Sequence, residues 1–197
     1  MRTILITRPQ TEVQNKANWL KLKKLGYKPE RFFDDSGELS NSRFQESKEW
    51  IDRAFKSHVD SLRRNWRNLL LSVDDEWVLF CEEDVLPKIE CEVLENLLKK
   101  KCRDDVDVYR LHHKLKREPF TSAVLYYGFD FMDMECPKNS WMAWGTHALF
   151  IPRKSRKKIA NFFDEYFLPT DTTLEYLNVK KKIEMKISSV NLFTQLI

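Results

Sequence analysis

Three carboxylates stand together after an apolar run in Trp77-Val78-Leu79-Phe80-Cys81-Glu82-Glu83-Asp84-Val85-Leu86-Pro87. Five consecutive apolar residues read as a buried strand. Side chains alternate along a strand, so Glu82 and Asp84 are expected on one face and Glu83 on the other. Two carboxylates on one face are hard oxygen ligands, suited to Mg²⁺ or Mn²⁺, ions that keep waters and phosphate oxygens as their remaining ligands. A nucleotide diphosphate is the natural guest of such an ion. Open α/β sheets bind ligands at the carboxyl ends of their strands, where this cluster falls if the sheet is parallel. The same residues also describe a strand that ends in a solvated acidic turn.

Other residues with chemical potential are placed by the strands around this one. The run Thr3-Ile4-Leu5-Ile6-Thr7 reads as a first strand ended by Arg8 and Pro9, and Arg31-Phe32-Phe33 as another ending in Asp34-Asp35. Thr7 and Arg8 then share a rim with Asp34 and Asp35, where they would contact phosphate and ribose or base; surface charge and turn-forming Asp are the plain alternative. Gly145 lies inside the run Trp141 to Ile151, and glycine within a strand often marks close approach of a ligand. His147, two residues on, could reach a diphosphate or a metal, or pack inside. His112 and His113 are adjacent, so a strand would turn them to opposite faces and they should not chelate one ion together. His58 shares the apolar face of a long helix and reads as a core residue.

The positioning elements follow from periodicity. Val13, Ala17, Leu20 and Leu25 mark a helix closed by Gly26, so strand, helix and strand open the chain as a right-handed βαβ unit. Ile51, Phe55, Val59, Leu62, Trp66 and Leu69 repeat at steps of three and four along a second helix. A third carries Val93, Leu94, Leu97 and Leu98 before Lys99-Lys100-Lys101, and Val106 to Leu111 alternates as a strand. Ala123 to Phe129 is a further apolar run. Pro152 to Phe163 reads as a helix with a basic start, and Leu168-Pro169-Thr170-Asp171 opens a shorter one.

Composition sets the class. A chain of 197 residues with 42% hydrophobic residues can bury one ordinary core, and we expect one domain over residues 1–197. Only 4 glycines, with neither GxGxxG nor GxxxxGK[ST], argue against a glycine cradle, so phosphates must be held another way. Cys81, Cys91, Cys102 and Cys136 lack CxxC spacing, which argues against structural zinc. Free thiols, and a start at Met1-Arg2 that leads straight into a strand, point to the cytoplasm. No apolar run approaches the length of a membrane span. The net charge of +4 is a mild lean toward polyanions.

The order Ser57-His58, then Glu82-Glu83-Asp84 at a strand end, then Trp144-Gly145-Thr146-His147-Ala148, then Leu168-Pro169-Thr170-Asp171 resembles glycosyltransferase family 25, the lipooligosaccharide and collagen galactosyltransferase-like enzymes. The likeness spans about residues 47 to 195, with Glu82-Glu83-Asp84 similar to the family's Asp-x-Asp metal motif in Glu-x-Asp form. It departs where Ala54-Phe55-Lys56 replaces the Gly-Cys that usually precedes Ser-His. The resemblance implies a single α/β domain of GT-A fold, with a mostly parallel central sheet flanked by helices. It also implies a hexosyl- or pentosyltransferase that moves a sugar from a nucleotide-sugar donor, expected to be a UDP-sugar, to a hydroxyl of a glycan, glycoconjugate or modified DNA. Glu82 and Asp84 would hold Mn²⁺ or Mg²⁺, Thr7, Arg8, Asp34, Asp35, Glu83, Gly145 and His147 would line the donor, and Asp171 would act as base or position substrate. Three other readings of the residues stay open: a nucleotidyltransferase-like enzyme, a nucleic-acid-binding module using Arg153 to Lys158 and Lys180 to Lys182, and an inactive partner-binding sheet domain.

Overall fold

The computed structural model describes residues 1–7, 16–33, 48–112, 131–133, 147–166 and 168–195. Seven strands form one sheet in the order β2-β1-β3-β7-β5-β8-β6. They are β1 (Arg2–Thr7), β2 (Lys28–Phe33), β3 (Val78–Glu82), β5 (Val108–Arg110), β6 (Phe131–Asp133), β7 (Ala148–Phe150) and β8 (Met185–Ser188). Strands β1, β2 and β3 are mutually parallel, β7 is antiparallel to both β3 and β5, β8 is parallel to β5, and β6 is antiparallel to β8. Five of the seven strands therefore point one way, which makes this a mostly parallel α/β sheet. Two short strands, β4 (Val85–Pro87) and β9 (Phe193–Gln195), pair antiparallel as a separate ribbon.

Both faces of the sheet are covered, and this is why its central strands are apolar without alternation. Ile4, Phe80, Leu149 and Ile187 pack toward helices α2 (Lys48–Ser72), α4 (Arg153–Glu165) and α5 (Thr170–Val179). Leu5, Leu79, Cys81, Tyr109 and Phe150 pack toward α1 (Lys16–Lys24), α3 (Cys91–Lys101) and the β4–β9 ribbon. Each fully buried Leu or Phe contributes about 1.5–3 kcal/mol relative to exposure. Helix α1 ends where the sequence signals it: Gly26 takes a φ of 79°, and its N–H reaches the Lys23 carbonyl at 3.1 Å.

Four boundaries differ from the sequence reading. Strand β2 starts at Lys28 and includes Pro29, tolerated because β2 is a sheet edge. Val85–Pro87 forms strand β4, which the sequence reading did not mark, with Pro87 opposite Phe193. Glu83 and Asp84 form the turn between β3 and β4, so strand alternation is not what brings Asp84 back toward Glu82. Of the run from Trp141 to Ile151, Ala148–Phe150 is strand, and Trp141 to Thr146 lies outside the described residues, as does Ala123 to Phe129.

The basic start of α4 is largely engaged within the fold. Arg156, 2% exposed, donates from Nε to Ile151 O at 2.9 Å, from Nη1 to Val73 O and Asp75 O at 3.0 and 2.6 Å, and from Nη2 to Glu76 O at 3.2 Å. Its guanidinium also lies 5.7 Å from the Phe80 ring centre, and burial lowers its pKa to about 10. Arg153 pairs with Asp74 at 2.5 Å, Lys154 with Asp104 at 3.5 Å and Lys158 with Asp107 at 2.8 Å.

Candidate functional site

The site is assembled at the carboxyl ends of the parallel strands. Glu82 is the last residue of β3, paired with Ile6 of β1, and its N–H donates to the His147 carbonyl at 3.0 Å. His147 immediately precedes β7, which runs antiparallel to β3, so the start of one strand meets the end of the other. Asp84 returns to the same place through the β3–β4 turn, which β4 anchors by pairing with β9. One ligand atom each from Glu82, Asp84 and His147 lies within 4.8 Å of the others. His147 Nε2 is 3.6 Å from Glu82 Oε2.

These donors fit a divalent cation. An ion with ligands at roughly 2.1–2.4 Å spans about 4.2–4.8 Å between opposed donors. The imidazole is 4% exposed, and among the described residues its Nδ1 has no hydrogen-bond partner. Glu82, Glu83 and Asp84 are half-buried, so their charges are partly withdrawn from water, where a bound cation would offset them. The side of the turn is held by Asn18 of α1, whose Nδ2 donates to Glu83 O at 3.0 Å.

His112 was set aside in the sequence because His113 adjoins it. Its partner is instead His147 from another strand: the two buried rings meet edge-on with centres 5.0 Å apart. The register explains the meeting, since Arg110 lies opposite Leu149 and the Leu111 N–H reaches Ala148 O at 2.9 Å. Arg110 itself, read only as an alternating strand residue, is fully buried and donates from Nη1 to Glu175 Oε1 of α5 at 3.1 Å. Burial pushes the Glu175 carboxyl up, Arg110 pulls it down, and Asp171 one turn earlier pushes it up again.

Asp171 is half-buried in the first turn of α5, and its Oδ1 accepts from the Thr172 N–H at 2.8 Å and the Thr172 hydroxyl at 3.4 Å. Helix α5 leads into β8, which is parallel to β5, so the start of α5 lies at the sheet end that carries Glu82 and His147. Thr7 closes β1 at that same end, buried, with its hydroxyl donating to Leu5 O at 3.3 Å. Arg8, Asp34, Asp35 and Gly145 lie outside the described residues, as do the side chains of Ser57 and His58.

No protein-family model matches the chain, and no curated protein does. Among solved structures it is similar to a glycosyltransferase involved in glycosylation of the major capsid of PBCV-1, with 12% identity, TM-score 0.45, and 95% of this chain and 82% of that one covered. It is similar also to the glycosyltransferase GlyE of Streptococcus pneumoniae TIGR4, with 10% identity and TM-score 0.49 over 94% of this chain and 44% of that one. Mouse xyloside xylosyltransferase 1 aligns at 8% identity and TM-score 0.44 over 93% and 76%. Likeness at this level fixes neither family nor activity.

Proposed function

We propose that this chain is a metal-dependent glycosyltransferase of GT-A type, which moves a sugar from a UDP-sugar to an acceptor hydroxyl on a glycan, glycoconjugate or modified DNA. The convergence of Glu82, Asp84 and His147 at the carboxyl ends of parallel strands carries this reading. Two carboxylates with one imidazole would hold Mn²⁺ in preference to Mg²⁺, because imidazole suits transition metals better than a hard alkaline-earth ion. When bound, the ion would offset charge on the departing diphosphate. Thr7, Arg8, Asp34, Asp35, Glu83 and Gly145 are assigned to the donor side. In the reaction the bond from the anomeric carbon to the diphosphate breaks and one to the acceptor oxygen forms. Asp171 would take the proton that the acceptor releases.

Titration calorimetry with UDP, with and without Mn²⁺, tests the reading. Wild type should bind UDP only with the ion, and Glu82→Gln and Asp84→Asn should each remove the metal-dependent heat while keeping the melting temperature. Unchanged binding in both variants would refute the site. Product analysis with a UDP-sugar distinguishes the chemistry, since glycosyl transfer or hydrolysis releases UDP whereas nucleotidyl transfer would cleave between the phosphates.

A further inference from the structure

We propose a second functional surface, on α1 and the start of β2, that docks the protein on an anionic lipid bilayer. Lys16, Lys21, Lys23, Lys24, Lys28 and Arg31 fall between residues 16 and 33, where Glu30 is the only acid. That excess is larger than the +4 of the whole chain, so the protein's positive charge is concentrated here. Glu30 is already committed to Arg2, which it meets at 2.8 Å.

A contrast with the basic run of α4 supports a role for this one. Along α4 Arg153, Lys154 and Lys158 have acid partners and Arg156 binds carbonyls, so most of that run's charge is engaged within the fold. On α1 all four lysines are exposed, and among the described residues none forms an ion pair; Lys24 shares a cleft with Glu90 and Glu92 but bonds to neither. Amid them Leu20 is 52% exposed, and the half-buried Trp19 has Lys23 Nζ and the Arg31 guanidinium 5.2 and 4.8 Å from its ring centre. A helix that shows lysines around an exposed leucine matches a lipid headgroup layer: the ammonium groups meet lipid phosphates while Leu20 enters the acyl boundary. Nucleic acid would use the charge but gain nothing from exposed Leu20. Asn18, in the first turn of this helix, bonds the acidic turn at Glu83, so a docked α1 would hold the candidate site close to the bilayer.

Vesicle co-sedimentation with the whole chain tests this without reference to any enzymatic activity. Wild type should pellet with equimolar phosphatidylcholine and phosphatidylglycerol, stay in solution with phosphatidylcholine alone, and be released by added salt. The triple variant Lys21→Gln, Lys23→Gln, Lys24→Gln should lose roughly 100-fold in partitioning, the loss expected for three lysines at an anionic surface. Leu20→Ser should lose roughly fivefold while melting as wild type does. Equal binding to both vesicles, salt-insensitive binding, or a triple variant that binds as wild type would overturn the proposal. So would a wild-type preference for a single-stranded DNA oligonucleotide over the mixed vesicles at equal phosphate, with Leu20→Ser neutral.

Discussion

Glu82, Asp84 and His147 reach one point by three different routes: a strand end, a turn, and the residue before an antiparallel strand. Asp171 is proposed for a different duty, that of base. Asp171→Asn keeps the bond to the Thr172 N–H and removes basicity, so we expect donor and metal affinity near wild type and turnover lower by roughly 10² to 10⁴, measured at saturating donor. A helix-starting residue without catalytic duty would instead leave turnover intact and cost about 1 kcal/mol or less. The acidic cluster was legible in the sequence because three carboxylates after five apolar residues are conspicuous. His112 was not, because its meeting with His147 depends on the pairing of β5 with β7, and no local pattern encodes the register of strands so far apart. Arg110 escaped for a related reason: an arginine in an alternating strand looks solvent-facing until the helix above it supplies Glu175.

At the scale of elements, α4 shows how composition can mislead. Six residues from Arg153 to Lys158 include five basic ones and suggest a surface for polyanions, yet Arg156 is buried against the carbonyls of Val73, Asp75 and Glu76. It joins the end of α2 and the approach to β3 to the start of α4. Arg156→Met keeps an unbranched apolar side chain there but leaves those carbonyls without their donor and the Phe80 ring without its cation. We expect a loss of roughly 3 kcal/mol or more, read from denaturant unfolding. The long helices were legible because their apolar residues repeat over several turns, as Ile51, Phe55, Val59, Leu62, Trp66 and Leu69 do along α2. Strands β4 and β9 were not, since three residues each are too few to show any period.

For the molecule as a whole, Asp107 links three parts of the fold: it accepts from Ser155 Oγ and Lys158 Nζ of α4, both at 2.8 Å, and from the Glu184 N–H before β8 at 3.0 Å. Burial alone would raise its carboxyl, but Lys158, the Glu184 N–H and Ser155 together hold it below the ordinary value. A depressed carboxyl stabilises the fold at pH above its unfolded value, about 3.9, and that contribution disappears as pH falls through the lower folded value. Asp107→Asn should therefore cost about 1–3 kcal/mol at neutral pH, with the difference from wild type shrinking below about pH 4 in unfolding curves taken across the acid range. The ribbon of β4 and β9 has a consequence in time. Val85 to Pro87 hold the acidic turn on one side, and their partners are Phe193 to Gln195, more than a hundred residues later in the chain. During synthesis the turn between Glu82 and Val85 must wait for β9 before it is fixed. A nascent chain can thus pair β1, β2 and β3 well before it acquires the shaped turn of the candidate site.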